Sequence, residues 1–418
     1  MRSHLAKIKH NVVSFSSINV NHRAQFMRRV PHLTFQERTK ISVAPKLTSL
    51  PQPPKLIQKE KKSPTLTSIS TTEMLPSTKA LAEGVLAGDR TSISKAVTLV
   101  ETNYSRVDRQ VQAELLLQYV LNNQPDLGKN TPLFSKFGVP DVRSLRIGIA
   151  GPPGAGKSTL IEALGKNILA MGLKLAVIAI DPSSLRSGGS ILGDKTRMYE
   201  LSRAKNAFVR ASPTRGVLGG IAQQTNDVVL LLQGAGFDIV LVETVGLGQS
   251  EVVIEDTVDM VWLVVPPAGG DELQGIKKGI MEAADMVVVN KADGNFLPSA
   301  KISKANFLHA LKFQRRKTEC WTPPVHLCSA QQKEGLEDIW STVIEYTKTL
   351  LVNNELHKKR KQQALKWTWE QLQGQIMHRI KKDKKLQKMA HSFENKLTDG
   401  TMSPRVAAAK LLSSFVPI

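Results

Sequence analysis

Two hydrophobic periodicities divide the chain. Between about residue 70 and Asn123, apolar positions recur every three or four residues: Leu81, Val85 and Leu86, then Ile93, Val97 and Val100, then Val107, Val111, Leu115, Leu116 and Tyr119. That spacing puts them on one face of a helix. Gly88-Asp89 and Thr102-Asn103 interrupt the run, so about three helices are expected, forming a small layer against the next domain. From Leu145 the pattern changes. Short runs rich in Val, Ile and Leu, at 146–150, 174–180, 207–211, 238–242, 260–265, 286–289 and 325–328, alternate with helical stretches. Continuous apolar runs suit parallel strands buried on both faces. Strands alternating with helices predict an α/β fold with a doubly wound, mostly parallel sheet. After Asn354, helical spacing returns with Leu365, Trp367, Trp369, Leu372, Ile376 and Ile380, and SPRVAAAKLL at 403–412 opens a further helix with Pro404 at its first position. The pattern leaves two readings for these last helices: they fold back on the same chain, or they form an arm exchanged with a second subunit.

The first of the expected strands runs into GPPGAGKST at 151–159, which fits GxxxxGK[ST] at every specified position. Strand, glycine turn and helix is the context this phosphate-binding motif requires. Glycines let successive backbone N–H groups turn toward phosphate oxygens, and the following helix adds the positive end of its dipole. Gly151, Pro152, Pro153, Gly154, Ala155, Gly156, Lys157, Ser158 and Thr159 are therefore the candidate phosphate cradle. Lys157 would reach the β- and γ-phosphates, and Ser158 would offer its hydroxyl to Mg²⁺.

A second motif reads the base. NKAD, at 290–293, follows the run MVVV. Asp293 can accept two hydrogen bonds from the N1–H and 2-amino groups of guanine, and adenine presents neither in that arrangement. Asn290 and Lys291 belong to the same motif, and Ser329, Ala330 and Gln331, just after VHLC, resemble the loop that closes over the base edge in many GTPases. The pattern predicts GTP and GDP rather than ATP.

Three acids form the candidate metal set with Ser158: Asp181 at the end of AVIAI, Asp194 in LGDKTR, and Glu243, which opens ETVG at the end of DIVLV. Acids at strand ends of a phosphate-loop fold are placed to hold Mg²⁺ or its waters. Segments 182–192, 246–250 and 266–278, rich in Gly, Ser or Pro, are candidate switches. No Gln directly follows Gly246; the nearest is Gln249. Without a Gln there to orient water, slow intrinsic hydrolysis is expected, accelerated by a partner.

The net charge of +21 looks like a nucleic-acid signal until it is divided. Residues 1–62 carry 13 Lys and Arg against 2 acids, and residues 356–418 carry 14 against 4, which leaves the middle of the chain neutral. A neutral core with basic ends argues against nucleic-acid binding by the folded domain. Residues 1–36 contain no Asp or Glu and spread Arg and Lys among Ser, Val, Ile and Phe, the composition of a mitochondrial targeting segment. No apolar run is long enough to span a membrane. Two cysteines, Cys320 and Cys328, provide neither a disulfide framework nor a Cys-based metal site. The expected organisation is a targeting segment and linker over 1–62, a helical region over 70–140, a phosphate-loop GTPase domain over 141–353, and a basic helical arm over 354–418.

Beyond the two nucleotide motifs, DPSS at 181–184, GGSILGDKTRM at 188–198, SPTRG at 212–216, ETVGLGQSE at 243–251 and PPAGGDELQGIKKGI at 266–280 stand in order. Together they resemble the GTPases that chaperone adenosylcobalamin-dependent methylmalonyl-CoA mutase, over about residues 75–418. The resemblance implies a homodimer whose C-terminal segment is a dimerising arm. It implies coupling of GTP hydrolysis to the mutase in the mitochondrial matrix, gating of adenosylcobalamin transfer from an adenosyltransferase, and release of damaged cofactor. It also implies that Asp181, Asp194 and Glu243 hold magnesium, and that Asp271 and Lys277 serve mutase-stimulated hydrolysis. Two other classes are alternatives: a metal-delivery GTPase, which shares the fold, and a small-molecule kinase. A metal-delivery GTPase needs His or Cys clusters, whereas four of the nine histidines (His4, His10, His22 and His32) lie in the targeting segment. A small-molecule kinase is opposed by NKAD.

Overall fold

A computed structural model describes residues 73–101, 107–124, 132–139, 142–181, 198–213, 218–244, 254–267, 278–314 and 316–415. The targeting segment, Asp194, Asp271, Lys277, the switches at 182–192 and 246–250, and residues 268–277 of the third switch lie outside these residues. Of Asp181 the backbone alone is described.

Seven strands form one parallel sheet: β1 (Leu145–Ala150), β2 (Leu175–Asp181), β3 (Ala207–Pro213), β4 (Ile239–Thr244), β5 (Met260–Val265), β6 (Met286–Val289) and β7 (Val325–Leu327), in the order β3-β2-β4-β1-β5-β6-β7. Each coincides with one of the apolar runs. Burial on both faces explains why they read as continuous apolar segments. In β1, Leu145, Ile147 and Ile149 enter one core; in β2, Leu175 and Val177 enter that core while Ala176, Ile178 and Ile180 enter the opposite one. Strict alternation along a strand sends neighbours to opposite faces.

On the first face lie α5 (Lys157–Ala170) and α10 (Leu336–Val352), through Leu160, Leu164, Ile168, Ile339, Val343 and Leu350. On the second lie α7 (Leu218–Gly234) and a layer of three helices, α1 (Pro76–Leu86), α2 (Arg90–Val100) and α3 (Val107–Asn122). Ala82, Val85, Ile93, Val97 and Leu116 bury the expected helical stripe. Asp89, one of the expected breaks, caps α2 by accepting the Ser92 N–H at 2.7 Å. The remaining helices before the C-terminal segment are α4 (Pro132–Phe137), α6 (Tyr199–Arg203), α8 (Lys278–Ala283) and α9 (Leu297–Lys312).

The C-terminal segment is α11 (Glu355–Lys382), α12 (Lys384–Ser392), α13 (Glu394–Thr398) and α14 (Pro404–Phe415), with Pro404 at the first position of its helix. Of the two sequence readings of this segment, the contacts of α11 bear out folding back on the same chain for one of its faces. That face packs on the sheet end and on α7, through Arg360, Gln363, Trp367 and Gln371. Away from that face, Leu365, Trp369, Leu372, Ile376 and Met377 are exposed.

The strand order places β1 between β4 and β5, so the chain crosses from one side of β1 to the other after β4. Open α/β sheets bind ligands outside the carboxyl ends of the strands at such a reversal. The carboxyl end of β1 is where the glycine-rich loop begins.

Candidate functional site

Six residues join β1 to α5, and their shape depends on two glycines. Gly151 has φ 150° and Gly156 has φ 84°. A Cβ on Gly151 would collide with the carbonyl oxygen of Val264 on β5, because the loop lies directly on that strand. A Cβ on Gly156 would sit 2.5 Å from Nδ2 of Asn290. Both positions thus exclude a side chain by conformation and by space. Lys157 is buried, and its ammonium donates to the carbonyl oxygens of Gly151 at 2.8 Å and Pro152 at 3.1 Å, drawing the side chain back over the loop. Ala155 is buried, Pro152 and Gly156 are half-buried, and Pro153, Gly154 and Thr159 are exposed.

The candidate base-reading residues arrive from two other strands. Asn290 follows β6 and is 1% exposed. Its amide nitrogen donates to the carbonyls of Ala155 at 2.9 Å and Gly156 at 3.3 Å, and its oxygen accepts the Ala330 N–H at 3.1 Å. One buried carboxamide therefore ties the phosphate loop, its own motif and the loop after β7 together. Ser329 is buried; its hydroxyl donates to Asp293 and accepts the Gln332 N–H at 3.1 Å. The 329–334 loop is closed by backbone bonds between Ser329 and Glu334 of 3.1 and 3.0 Å. Lys291, at φ 61°, and Gln331 are both exposed. The structure brings Asn290, Asp293, Ser329 and Ala330 together beside the phosphate loop.

At the other flank, the Ser158 hydroxyl donates to Oε1 of Glu243 at 2.9 Å. Glu243 is 7% exposed, near the end of β4. Its register partner on β2 is Ala179, and Asp181 ends β2 two residues farther on. A hydroxyl and carboxylates at adjacent strand ends are hard oxygen donors of the kind Mg²⁺ takes. Among the described residues no cluster of three or more His, Cys, Asp or Glu could hold a metal. No helix there is long and apolar enough to cross a membrane.

The sequence reading missed a charged cluster at the opposite end of β1. Asp259, just before β5, accepts from the Arg146 guanidinium at 2.6 Å and from Arg360 of α11 at 2.7 Å. Gln363 of α11 accepts from Arg146 at 2.8 Å and donates to the carbonyl of Val258 at 2.8 Å. Burial alone would raise the Asp259 pKa, but the charges and hydrogen bonds of Arg146 and Arg360 outweigh it and hold the carboxyl far below the usual range. One signal was available. Arg146 lies inside the apolar run LRIGIA, and a charge in a buried strand needs a partner.

Comparison with known proteins agrees with this geometry. A family model described as methylmalonyl Co-A mutase-associated GTPase MeaB matches residues 93–385. The chain is 44% identical over 338 residues to the mitochondrial methylmalonic aciduria type A homolog of Mus musculus, covering 80% of this chain and 79% of that protein. It is 40% identical over 341 residues to the Caenorhabditis elegans protein of the same name, covering 81% and 83%. Among solved structures it is similar to a LAO/AO transport system kinase, at TM-score 0.60 and 31% identity, covering 82% of this chain and 98% of that one. With the glycine-rich loop, the Asn290, Asp293, Ser329 and Ala330 cluster and the doubly wound sheet in place, the chain is a GTPase, and it belongs to the MeaB family of methylmalonyl-CoA mutase-associated GTPases.

Proposed function

We propose that this GTPase gates the loading of adenosylcobalamin into methylmalonyl-CoA mutase and protects or reactivates the mutase. The observation that carries the nucleotide reading is Asn290, which joins the phosphate loop to both base-closing segments. In this reading residues 151–159 cradle the phosphates, with Lys157 swinging from the loop carbonyls to the β- and γ-phosphates. Asn290, Lys291, Asp293, Ser329, Ala330 and Gln331 hold the guanine of GTP or GDP. Ser158 and Glu243 hold Mg²⁺ with Asp181 and Asp194, and the metal would offset phosphate charge as the terminal phosphoryl group leaves. Asp271 and Lys277 serve the stimulated reaction, and hydrolysis is slow until the mutase is bound.

The segments 70–140, 141–353 and 354–418 serve as a helical layer, a GTPase domain and an arm. The exposed row Leu365, Trp369, Leu372 and Ile376 on α11 supports a homodimer formed through that arm. The acid-free stretch 1–36, together with the mitochondrial relatives, supports delivery to the mitochondrial matrix, where an adenosyltransferase would supply the cofactor.

Two measurements test this. Asp293→Asn should exchange preference for guanine for preference for xanthine, and an unchanged preference refutes the base assignment. GTP turnover should rise on adding methylmalonyl-CoA mutase. No complex and no stimulation would remove the partner while leaving the GTPase intact.

A further inference from the structure

Glu101 follows the last turn of α2 and is 4% exposed. Its carboxylate grips two residues of β3. Oε2 accepts from Nη2 of Arg210 at 2.6 Å, and Oε1 accepts from the Ser212 hydroxyl at 2.8 Å. Arg210 also donates to Oγ1 of Thr98 at 3.1 Å and to the Ser94 carbonyl at 3.3 Å. Packing α2 on the sheet does not require this charge. Ile93, Ala96, Val97 and Val100 already share one apolar core with Ile178 and Phe208. A buried ion pair adds little net stability over an apolar contact.

Its position supplies a reason. Arg210 and Ser212 lie toward the carboxyl end of β3, the edge where nucleotide binds. Ser212 stands in register with Ile180, Pro213 with Asp181, and Ile180 with Thr244 of β4. The row from Ser212 to Thr244 therefore crosses the sheet next to Glu243, the acceptor of Ser158. β3 is an edge strand, paired to β2 alone among the described strands. Among the described residues its last positions have no strand on the outer side, and Glu101 holds them from the face instead.

We infer that Glu101 is a positioning residue for the metal end of the site, fixing the carboxyl end of β3 against the end of β2 that carries Asp181. The inference rests on the reading of Ser158, Glu243 and Asp181 as the metal-holding set. Groups hydrogen-bonded directly to metal ligands change metal affinity by about 10- to 100-fold when removed, and Glu101, acting one strand farther out, is expected at the lower end.

The test uses the full chain with mant-GDP as probe, comparing Glu101→Ala, Glu101→Gln and Val97→Ala. The last loosens the same helix from the same sheet without touching the end of β3. The readouts are the Mg²⁺ concentration that half-maximally slows mant-GDP release, mant-GDP binding in EDTA, and melting temperature. Glu101→Ala should raise the Mg²⁺ midpoint by about tenfold, with binding in EDTA unchanged. Glu101→Gln, which keeps an acceptor but loses the charge, should fall between, and it carries the test if the alanine variant fails to fold. Val97→Ala should lower the melting temperature and leave the midpoint alone. Glu101 variants that lose thermal stability at an unchanged midpoint would overturn the inference and leave the metal site standing. A wild-type chain with no Mg²⁺ response would overturn the metal set and the inference with it.

Discussion

The side-chain nitrogen of Asn290 donates to the carbonyl of Ala155 at 2.9 Å, across 135 positions of sequence. The contact passes from the end of β6 to the turn after β1, and the same side chain reaches Ala330 beyond β7. Asn290→Ala would leave the Ala155 carbonyl and the Ala330 N–H without this buried partner, at about 1–3 kcal/mol for each group. We expect GDP affinity to fall by roughly 30- to 100-fold while guanine remains preferred, because Asp293 is untouched. Calorimetric titration of the variant with GDP and XDP checks both parts.

Arg146, Asp259 and Arg360 form a buried charge cluster joining β1, the start of β5 and α11. Removing Asp259 leaves two guanidinium groups facing each other without their counter-charge, at about 3–5 kcal/mol, whereas removing either arginine leaves one ion pair. Asp259→Asn should therefore lower the melting temperature by on the order of 10 °C, and Arg146→Gln or Arg360→Gln by less. Replacing Arg146, Asp259 and Arg360 together with Met, Leu and Met should cost less than Asp259→Asn, because no stranded charge remains. A triple variant less stable than Asp259→Asn would contradict this account.

Asp227 on α7 accepts from Gln371 of α11 at 2.9 Å and is half-buried. Burial pushes its carboxyl up to about 7; the hydrogen bond from Gln371 opposes the shift, and nearby Glu114 adds to it. The folded chain therefore keeps this proton while the unfolded chain releases it near the ordinary carboxylate value. The protonated form's contribution is fully present below about pH 4 and is lost as pH rises to about 7, with no further change above. Asp227→Asn keeps an acceptor for Gln371 and removes the titration. Relative to wild type it should gain about 1–2 kcal/mol between pH 5 and pH 8, a figure discounted for partial exposure. Urea unfolding of both proteins at the two pH values measures the difference.

Trp369 is 64% exposed on α11, in line with Leu365, Leu372 and Ile376. If this row pairs two arms, Trp369→Glu with Leu372→Glu should turn a dimer into a monomer in light scattering, with basal GTP turnover retained. A wild-type chain that is monomeric at micromolar concentration would remove the dimer from the proposal.

The seven strands, the phosphate loop and NKAD were legible in the chain itself, because each is a contiguous pattern set by local geometry. Side chains that alternate between two buried faces need apolar runs, and a backbone turned toward phosphate needs glycine at particular positions. The joining of those pieces was not legible. Arg146 announced that it needed a counter-charge, but nothing local selected Asp259 from 36 acidic residues. Asn290 looked like part of a base-reading motif, and its hold on Ala155 follows from β5 alone separating β6 from β1. Nothing in the sequence around Glu101 pointed to Arg210 and Ser212, which meet it only because β3 lies beneath α2. Strand order and crossover decide which distant residues meet, and periodicity is silent on both; so the sequence by itself determined the elements and their chemistry, and tertiary structure alone decided which side chains hold them together.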